Sequence, residues 1–418
     1  MKSLYAVTGV AAVLVVFVVF LEQTPVPAAS PDPPASGQAV ARTPWGEPDL
    51  QGIWTNNFDT PLERPARYKD REFFTEQERA SIDNERARIL GLGNRRRDPK
   101  GSEQDVGGAY DQTVFLTHRH MGRRTSMISD PPDGRLPGLT PEAEKLRDES
   151  RAFHMALLQS TDACKDREKR PRCPPYGPPS PRRLEAPPHY STRNLNRSDG
   201  PEDRSMSERC MAGRLPDFGG STGFFAQIVQ SRGAVSIFYD TGQGQAWQRV
   251  IPVTDRPHVP SHVRQWWGDS RGRWEGDTLV VDVTNFTPKS EFNGSHENFH
   301  LVERWTRVNA DTISYSATME DPTTWTRPWT VVLEFSRQND KANRIYREPR
   351  CHEGNYGLPA VLAGARAADR AFAQGRGPNP ATLCTAGAAA ECGGFGGGFA
   401  ESGEEADPLS RNIDIPNQ

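Results

Sequence analysis

The chain has 418 residues, 51 of them basic and 54 acidic, for a net charge of −3, and it carries 37 glycines and 36 prolines. A balance so close to neutral gives no electrostatic basis for binding nucleic acid or an anionic membrane surface. That much glycine and proline excludes an architecture of long helices, while the length accommodates several average domains or one large β domain.

Residues 1–28 read as an export signal. Lys2 is the positive n-region, Leu4 to Leu21 carries no charge, and Val26-Pro27-Ala28 offers small residues for cleavage. The apolar run is also just long enough to span a bilayer, so membrane contact is expected only through residues 1–28, if they stay uncleaved. The rest of the chain is then periplasmic or secreted. Six cysteines suit that compartment and read as up to three disulfides. Proximity pairs Cys164 with Cys173 and Cys384 with Cys392, leaving Cys210 for Cys351. No CxxC spacing occurs, which argues against a zinc site built from four cysteines.

Residues 29–44 form a Pro/Ala-rich disordered linker. A single β-rich domain is expected over 45–373, made of a helix-and-loop part (45–220), a β-meander (221–357) and a short helix (358–373). Asp49–Thr55 is its opening strand. Thr75-Glu76-Gln77-Glu78 is a capping box that starts a surface helix to about Leu90. Thr113–Leu116 and Arg124–Ser129 are candidate strands, and Thr140-Pro141-Glu142 starts a second helix running to about Leu158. Residues 161–203 read as a long surface loop, unusual in a compact domain unless it is functional or mobile.

From Phe224 onward the period becomes two. Phe224–Gln230 and Ala234–Tyr239 flank a turn at Ser231-Arg232-Gly233, and Gln245–Pro252 follows. Leu279, Val281 and Val283 alternate with Val280, Asp282 and Thr284 just after a Gly276-Asp277 turn. His300–Val308 pairs with Thr312–Glu320, where Ile313, Tyr315, Ala317 and Met319 share one face. Trp329–Ser336 and Arg344–Arg347 make a last hairpin, Pro359–Phe372 a short helix, and 374–418 a flexible tail. Hairpin after hairpin gives a mainly β fold: an antiparallel meander forming a barrel or strongly curved sheet, with a few peripheral helices and long loops.

Several stretches together resemble a widespread family of exported bacterial proteins of unknown function: Arg256-Pro257-His258, Arg264-Gln265-Trp266, Gly268–Phe286, Val302-Glu303-Arg304 and Cys351–Tyr356. The resemblance covers most of residues 45–365 and implies no activity. A second likeness is to lipocalin-like barrels, whose opening strand carries a Gly-X-Trp like Gly52-Ile53-Trp54. The lipocalin hallmark also needs an arginine packed on that tryptophan, for which Arg344 and Arg347 are candidates. Barrels of this type hold one small ligand.

His296-Glu297-Asn298-Phe299-His300 matches the HExxH zinc-protease pattern, which requires both histidines on one face of a helix. Gly294-Ser295 before it and the strand after it oppose a helix. His258 and His262 share the same spacing, but Pro257 and Pro260 forbid a helix there. The catalytic candidates are His258, His300, His352 and Glu353, brought together in space for acid–base or metal chemistry. The ligand-binding candidates are Arg264 and Arg271 as anion clamps, Asp269 and Glu303 beside them, and Trp266 and Trp274 as stacking surfaces. Salt bridges and core packing explain the same residues equally well. No residue pattern specifies a metal or names a cofactor.

Two functions follow. One is an exported small-ligand-binding protein of lipocalin-like type, its ligand apolar or glycosidic. The alternative is an exported hydrolase or lyase using the His/Glu cluster, with or without a metal.

Overall fold

The computed structural model describes residues 41–56, 58–95, 120–165, 173–190, 192–211, 213–218, 225–242, 245–338, 351–352 and 354–385. Nine strands run in the order β7-β6-β5-β1-β12-β11-β10-β9-β8, and every pairing along this path is antiparallel. They are β1 (Gly52–Thr55), β5 (Phe225–Ser231), β6 (Ala234–Gly242), β7 (Gln245–Pro252), β8 (Asp269–Glu275), β9 (Thr278–Thr284), β10 (His300–Arg307), β11 (Thr312–Glu320) and β12 (Trp329–Arg337). β4 (Ile128–Asp130) pairs with β12 off this path, and β2 (Phe58–Asp59) pairs in parallel with β3 (His120–Met121). The two ends of the path nearly meet: Val253, just past β7, bridges Gly272 of β8, and Thr254 N–H donates to Gly272 O at 3.0 Å. The sheet is a nearly closed barrel, as the meander predicts.

The alternation that defines each strand also sorts its side chains. Leu279, Val281 and Val283 point inward together with Leu301 and Trp305, with Ile313, Tyr315, Ala317 and Met319, and with Trp329, Val331 and Phe335. All are buried, and each of the aliphatic side chains larger than alanine contributes roughly 1.5–3 kcal/mol by leaving water. The interior is filled with side chains. At one end the segment 213–218 covers it: Gly213 lies flat on Trp247, where a Cβ would come within 2.8 Å of the indole. Trp267 stacks on that same indole at 4.7 Å and donates to Gly213 O, while Leu215 and Phe218 join the core.

β1 occupies the middle of the sheet, between β5 and β12, rather than an edge. Trp54 is fully buried, donates its indole N–H to Leu50 O at 2.9 Å, and carries the guanidinium of Arg307 5.8 Å from its ring. The arginine on the Gly-X-Trp tryptophan therefore comes from β10. Arg344 and Arg347, proposed for that role, lie outside the described residues.

α1 (Glu76–Arg95) has the expected capping box: Glu78 N–H donates to Thr75 Oγ1 at 3.2 Å, and Thr75 N–H to Glu78 Oε2 at 2.9 Å. α2 (Pro141–Leu158) is capped by Thr140 Oγ1, which accepts from Ala143 N–H at 3.2 Å. α3 (Gly357–Ala373) corresponds to the short C-terminal helix. No helix among the described residues is long and apolar enough to cross a membrane.

The stretch expected as a strand over Arg124–Ser129 is irregular until Ile128. Its backbone bonds mainly with the 61–62 and 71–74 loops: Met127 N–H reaches Pro61 O, Thr125 N–H reaches Glu72 O, and Phe74 N–H reaches Arg123 O, while Met127 O accepts from Val332 N–H of β12. Thr113–Leu116 lies outside the described residues. The loop after α2 contains short helical turns at Asp162–Cys164, Pro181–Leu184 and Pro201–Asp203. Cys164–Cys173 and Cys210–Cys351 are disulfides, as expected, and Cys384 is also disulfide-bonded. Its expected partner, Cys392, lies outside the described residues.

Candidate functional site

Two of the candidate histidines come together on the outer face of β8–β11. His258 sits on the loop after β7, which Asn285 folds into place by donating its side-chain amide to the carbonyls of Val259, Pro260 and Val263 at 2.9–3.3 Å. His258 Nδ1 lies 2.8 Å from Asp269 Oδ2, and its Nε2 lies 2.9 Å from Asp282 Oδ1. The other oxygen of Asp282 lies 3.2 Å from His300 Nε2, and His300 Nδ1 lies 3.5 Å from Glu320 Oε2. Arg271 closes the far end with an ion pair to Asp269 at 3.0 Å. The result is a chain of alternating basic and acidic side chains, Arg271–Asp269–His258–Asp282–His300–Glu320.

The chain perturbs its members in the expected directions. The hydrogen bond from His300, followed by that from His258, holds the Asp282 carboxyl below its usual range despite partial burial. The bond to Asp282 raises His300 above the ordinary imidazole range, against burial, and Glu320 adds to it. Every ring nitrogen of the two histidines faces a carboxylate. None is left open to a substrate, so proton transfer to one would first break a bond within the chain. As it stands, the arrangement pins the 255–265 loop to the barrel wall.

The remaining candidates are dispersed. His352 is exposed next to the Cys210–Cys351 disulfide, and among the described residues no hydrogen bond or ion pair joins it to His258 or His300. Glu353 lies outside the described residues. Arg264 is exposed and donates to Glu297 O at 2.7 Å. Trp274 faces the core from β8. Trp266 lies half-buried with its ring 6.3 Å from that of Tyr190.

Glu303 is inside the barrel. It is 0% exposed, lies 2.6 Å from Arg249 Nη1, and accepts from the Tyr315 hydroxyl at 3.0 Å. Arg249 is also held by Ser270 Oγ, which accepts from its Nε at 3.0 Å. Burial is the main cause that pushes the Tyr315 phenol well above its ordinary value, so it remains a hydrogen-bond donor.

The HExxH match does not form a zinc helix. His300 is the first residue of β10 and His296 lies in the turn before it, with Phe299 N–H donating to His296 O. Among the described residues no group of three or more His, Cys, Asp or Glu side chains is arranged to hold a metal ion.

A cleft of about 590 Å³ opens elsewhere, in the long loop after α2. Pro187, Tyr190, Arg197, Asp199, Glu202 and Asp203 are among its lining residues. Its walls are built by cross-links. Arg197 donates to Asp203 Oδ1 at 2.8 Å and to the carbonyls of Arg183 and Glu185, while Asp203 accepts from the N–H groups of Asp199 and Gly200. The Tyr190 hydroxyl is bonded to Arg209, and the Lys289 ammonium, paired with Glu202, stands 5.4 Å from the Tyr190 ring. Neither Asp282 nor Tyr190 is among the candidates that the sequence singles out. Asp282 carried a signal, as the one charge in the strand Thr278–Thr284; Tyr190, in a segment without periodicity, carried none.

No protein-family model matches this chain, and no curated protein does. A solved structure of a secretary abundant heat soluble (SAHS) protein from Ramazzottius varieornatus aligns over 30% of this chain and 77% of its own, with 11% identity and a TM-score of 0.21. A likeness of that size carries no functional argument.

Proposed function

We propose that the protein is an exported small-ligand-binding protein on a lipocalin-like frame, with a glycosidic ligand held in the cleft beside Tyr190. The observation that carries this reading is the cleft itself. Its volume of about 590 Å³ lies within the range of small-molecule sites, and it sets an aromatic face among charged hydrogen-bonding groups. Sugars ask for that combination: an apolar ring face to stack on, and donors and acceptors at its edge for hydroxyls. The filled barrel interior argues against a ligand at its centre, so the barrel serves as a rigid scaffold. The arginine on Trp54 supports the lipocalin-like frame, and the disulfides support export. His258 and His300, saturated by carboxylates, offer the hydrolase or lyase alternative no free base.

Calorimetric titration with a panel of mono- and oligosaccharides tests the reading. At least one should bind, and Tyr190→Ala should weaken it about 10-fold through loss of the stacking face. If no saccharide binds at millimolar concentration, or if the variant binds as well as the wild type, the reading fails.

A further inference from the structure

His189 and His296 meet where the long loop lies against the barrel, with their rings edge to face at 5.0 Å. The Nδ1 of His189 lies 2.8 Å from Tyr190 O, and the Nδ1 of His296 lies 2.7 Å from Ser290 O. A carbonyl only accepts, so each Nδ1 carries the proton and each neutral ring keeps its lone pair on Nε2. His296 Nε2 is buried, with no hydrogen-bond partner among the described residues. Two observations therefore coincide at this contact: a pair of imidazoles in direct contact, and a buried nitrogen with no acceptor to receive a second N–H.

We infer that this pair is a proton-triggered latch that holds the 186–193 segment against the barrel's 287–299 loop when neutral and releases it on acidification. The inference rests on the proposed cleft only in that Tyr190, bonded through its carbonyl to His189, is that cleft's aromatic wall. A second proton on either ring brings a cation to a neighbour 5.0 Å away, and on His296 it also buries an unpaired donor.

The charged and titratable groups around the pair are Arg193 and Tyr190 on the loop side and Glu291 on the barrel side. Glu291 accepts from Gly294 N–H and from Thr192 Oγ1, so it crosses the same junction. Burial raises the Glu291 carboxyl, but the Gly294 N–H, His296 and Arg193 together outweigh it and hold the group below its usual value. It remains a single anion facing Arg193 and two potential imidazoliums, too little charge to hold both. Burial first, with His296 and Arg193 beside it, keeps His189 below the ordinary imidazole value, against the opposing Tyr190 carbonyl and Glu291. A histidine depressed in the folded state stabilises its contact above its unfolded pKa and loses that contribution as pH falls. The sign matches release in acid.

Amide hydrogen exchange of the full chain without ligand, from about pH 7.5 to pH 5 and corrected for intrinsic rates, reads the latch directly. Protection over 186–193 should fall at least about 10-fold across that range while β9–β12 stay protected. His296→Gln should flatten the fall. Proton-detected titration of the wild-type imidazoles is the second measurement, and His189 should titrate below the ordinary value of about 6.5. Protection that does not change with pH, an unchanged fall in His296→Gln, or a His189 imidazole titrating at or above the ordinary value would each overturn the latch. Saccharide binding at pH 7.5 reads the cleft separately, so either idea can fail without the other.

Discussion

Replacing Glu303 with leucine tests whether the barrel interior is as dry as its packing implies. Arg249 and Glu303 have side chains 4% and 0% exposed and lie 2.6 Å apart. Leucine removes the ion-pair partner of a guanidinium buried in the core, at a cost of about 3–5 kcal/mol. The Tyr315 hydroxyl, whose acceptor at 3.0 Å is Glu303, loses its bond and adds about 1 kcal/mol. The expected loss is therefore about 4–6 kcal/mol for the single variant. Adding Arg249→Met removes both charges together, and the double variant should return to within about 2 kcal/mol of the wild type. Denaturant unfolding with disulfides intact, followed by tryptophan fluorescence, measures all three. A single-variant loss below about 1 kcal/mol would mean that water reaches the guanidinium, and the filled-barrel argument would fall.

Two further outcomes follow from the same geometry. Gly268 sits at φ 66°, and a Cβ there would come within 2.6 Å of Thr284 O, so Gly268→Ala should cost at least about 2 kcal/mol in thermal or denaturant unfolding; a neutral effect would contradict the packing of the loop against β9. The raised His300 contributes stability in its protonated form, fully present below the ordinary imidazole value of about 6.5 and lost as pH rises through its elevated folded value. With its side chain 35% exposed the effect is screened to under about 1 kcal/mol, visible as a small decline in Tm between about pH 6 and pH 9 that His300→Gln should abolish.

The second half of the chain was the more legible. Ile313, Tyr315, Ala317 and Met319 alternate with small hydroxylated residues, and only one face of that strand can be buried. Local turns then set which strands pair. β1 was not legible in the same way, because nothing in Gly52–Thr55 says that its neighbours lie near residues 226 and 337. Tertiary context decided that placement.

At the site, residue type points to His258 and His300, but the carboxylate that joins them, Asp282, reads in the sequence as part of a strand pattern. Glu303 stands among the ligand-binding candidates of the sequence, although it sits in register with Leu301 and Trp305, both inward. Arg249 lies between inward-facing Trp247 and Ile251 in the same way. Two opposite charges at inward positions of separate strands signal a buried pair, and single-strand periodicity does not connect them.

The position of β1 sets the order in which the molecule can be completed. Trp54 pairs with Ala226 on one side and with Arg337 on the other, so the strand made first is the seam that joins both halves of the barrel. Hairpins such as β8–β9 and β10–β11 need only nearby partners and can form as soon as they emerge. The seam has no second partner until β12 exists. A chain interrupted anywhere before Trp329 leaves Trp54 and the open edge of β1 exposed, which makes every truncated product a target for aggregation or proteolysis rather than a smaller working protein.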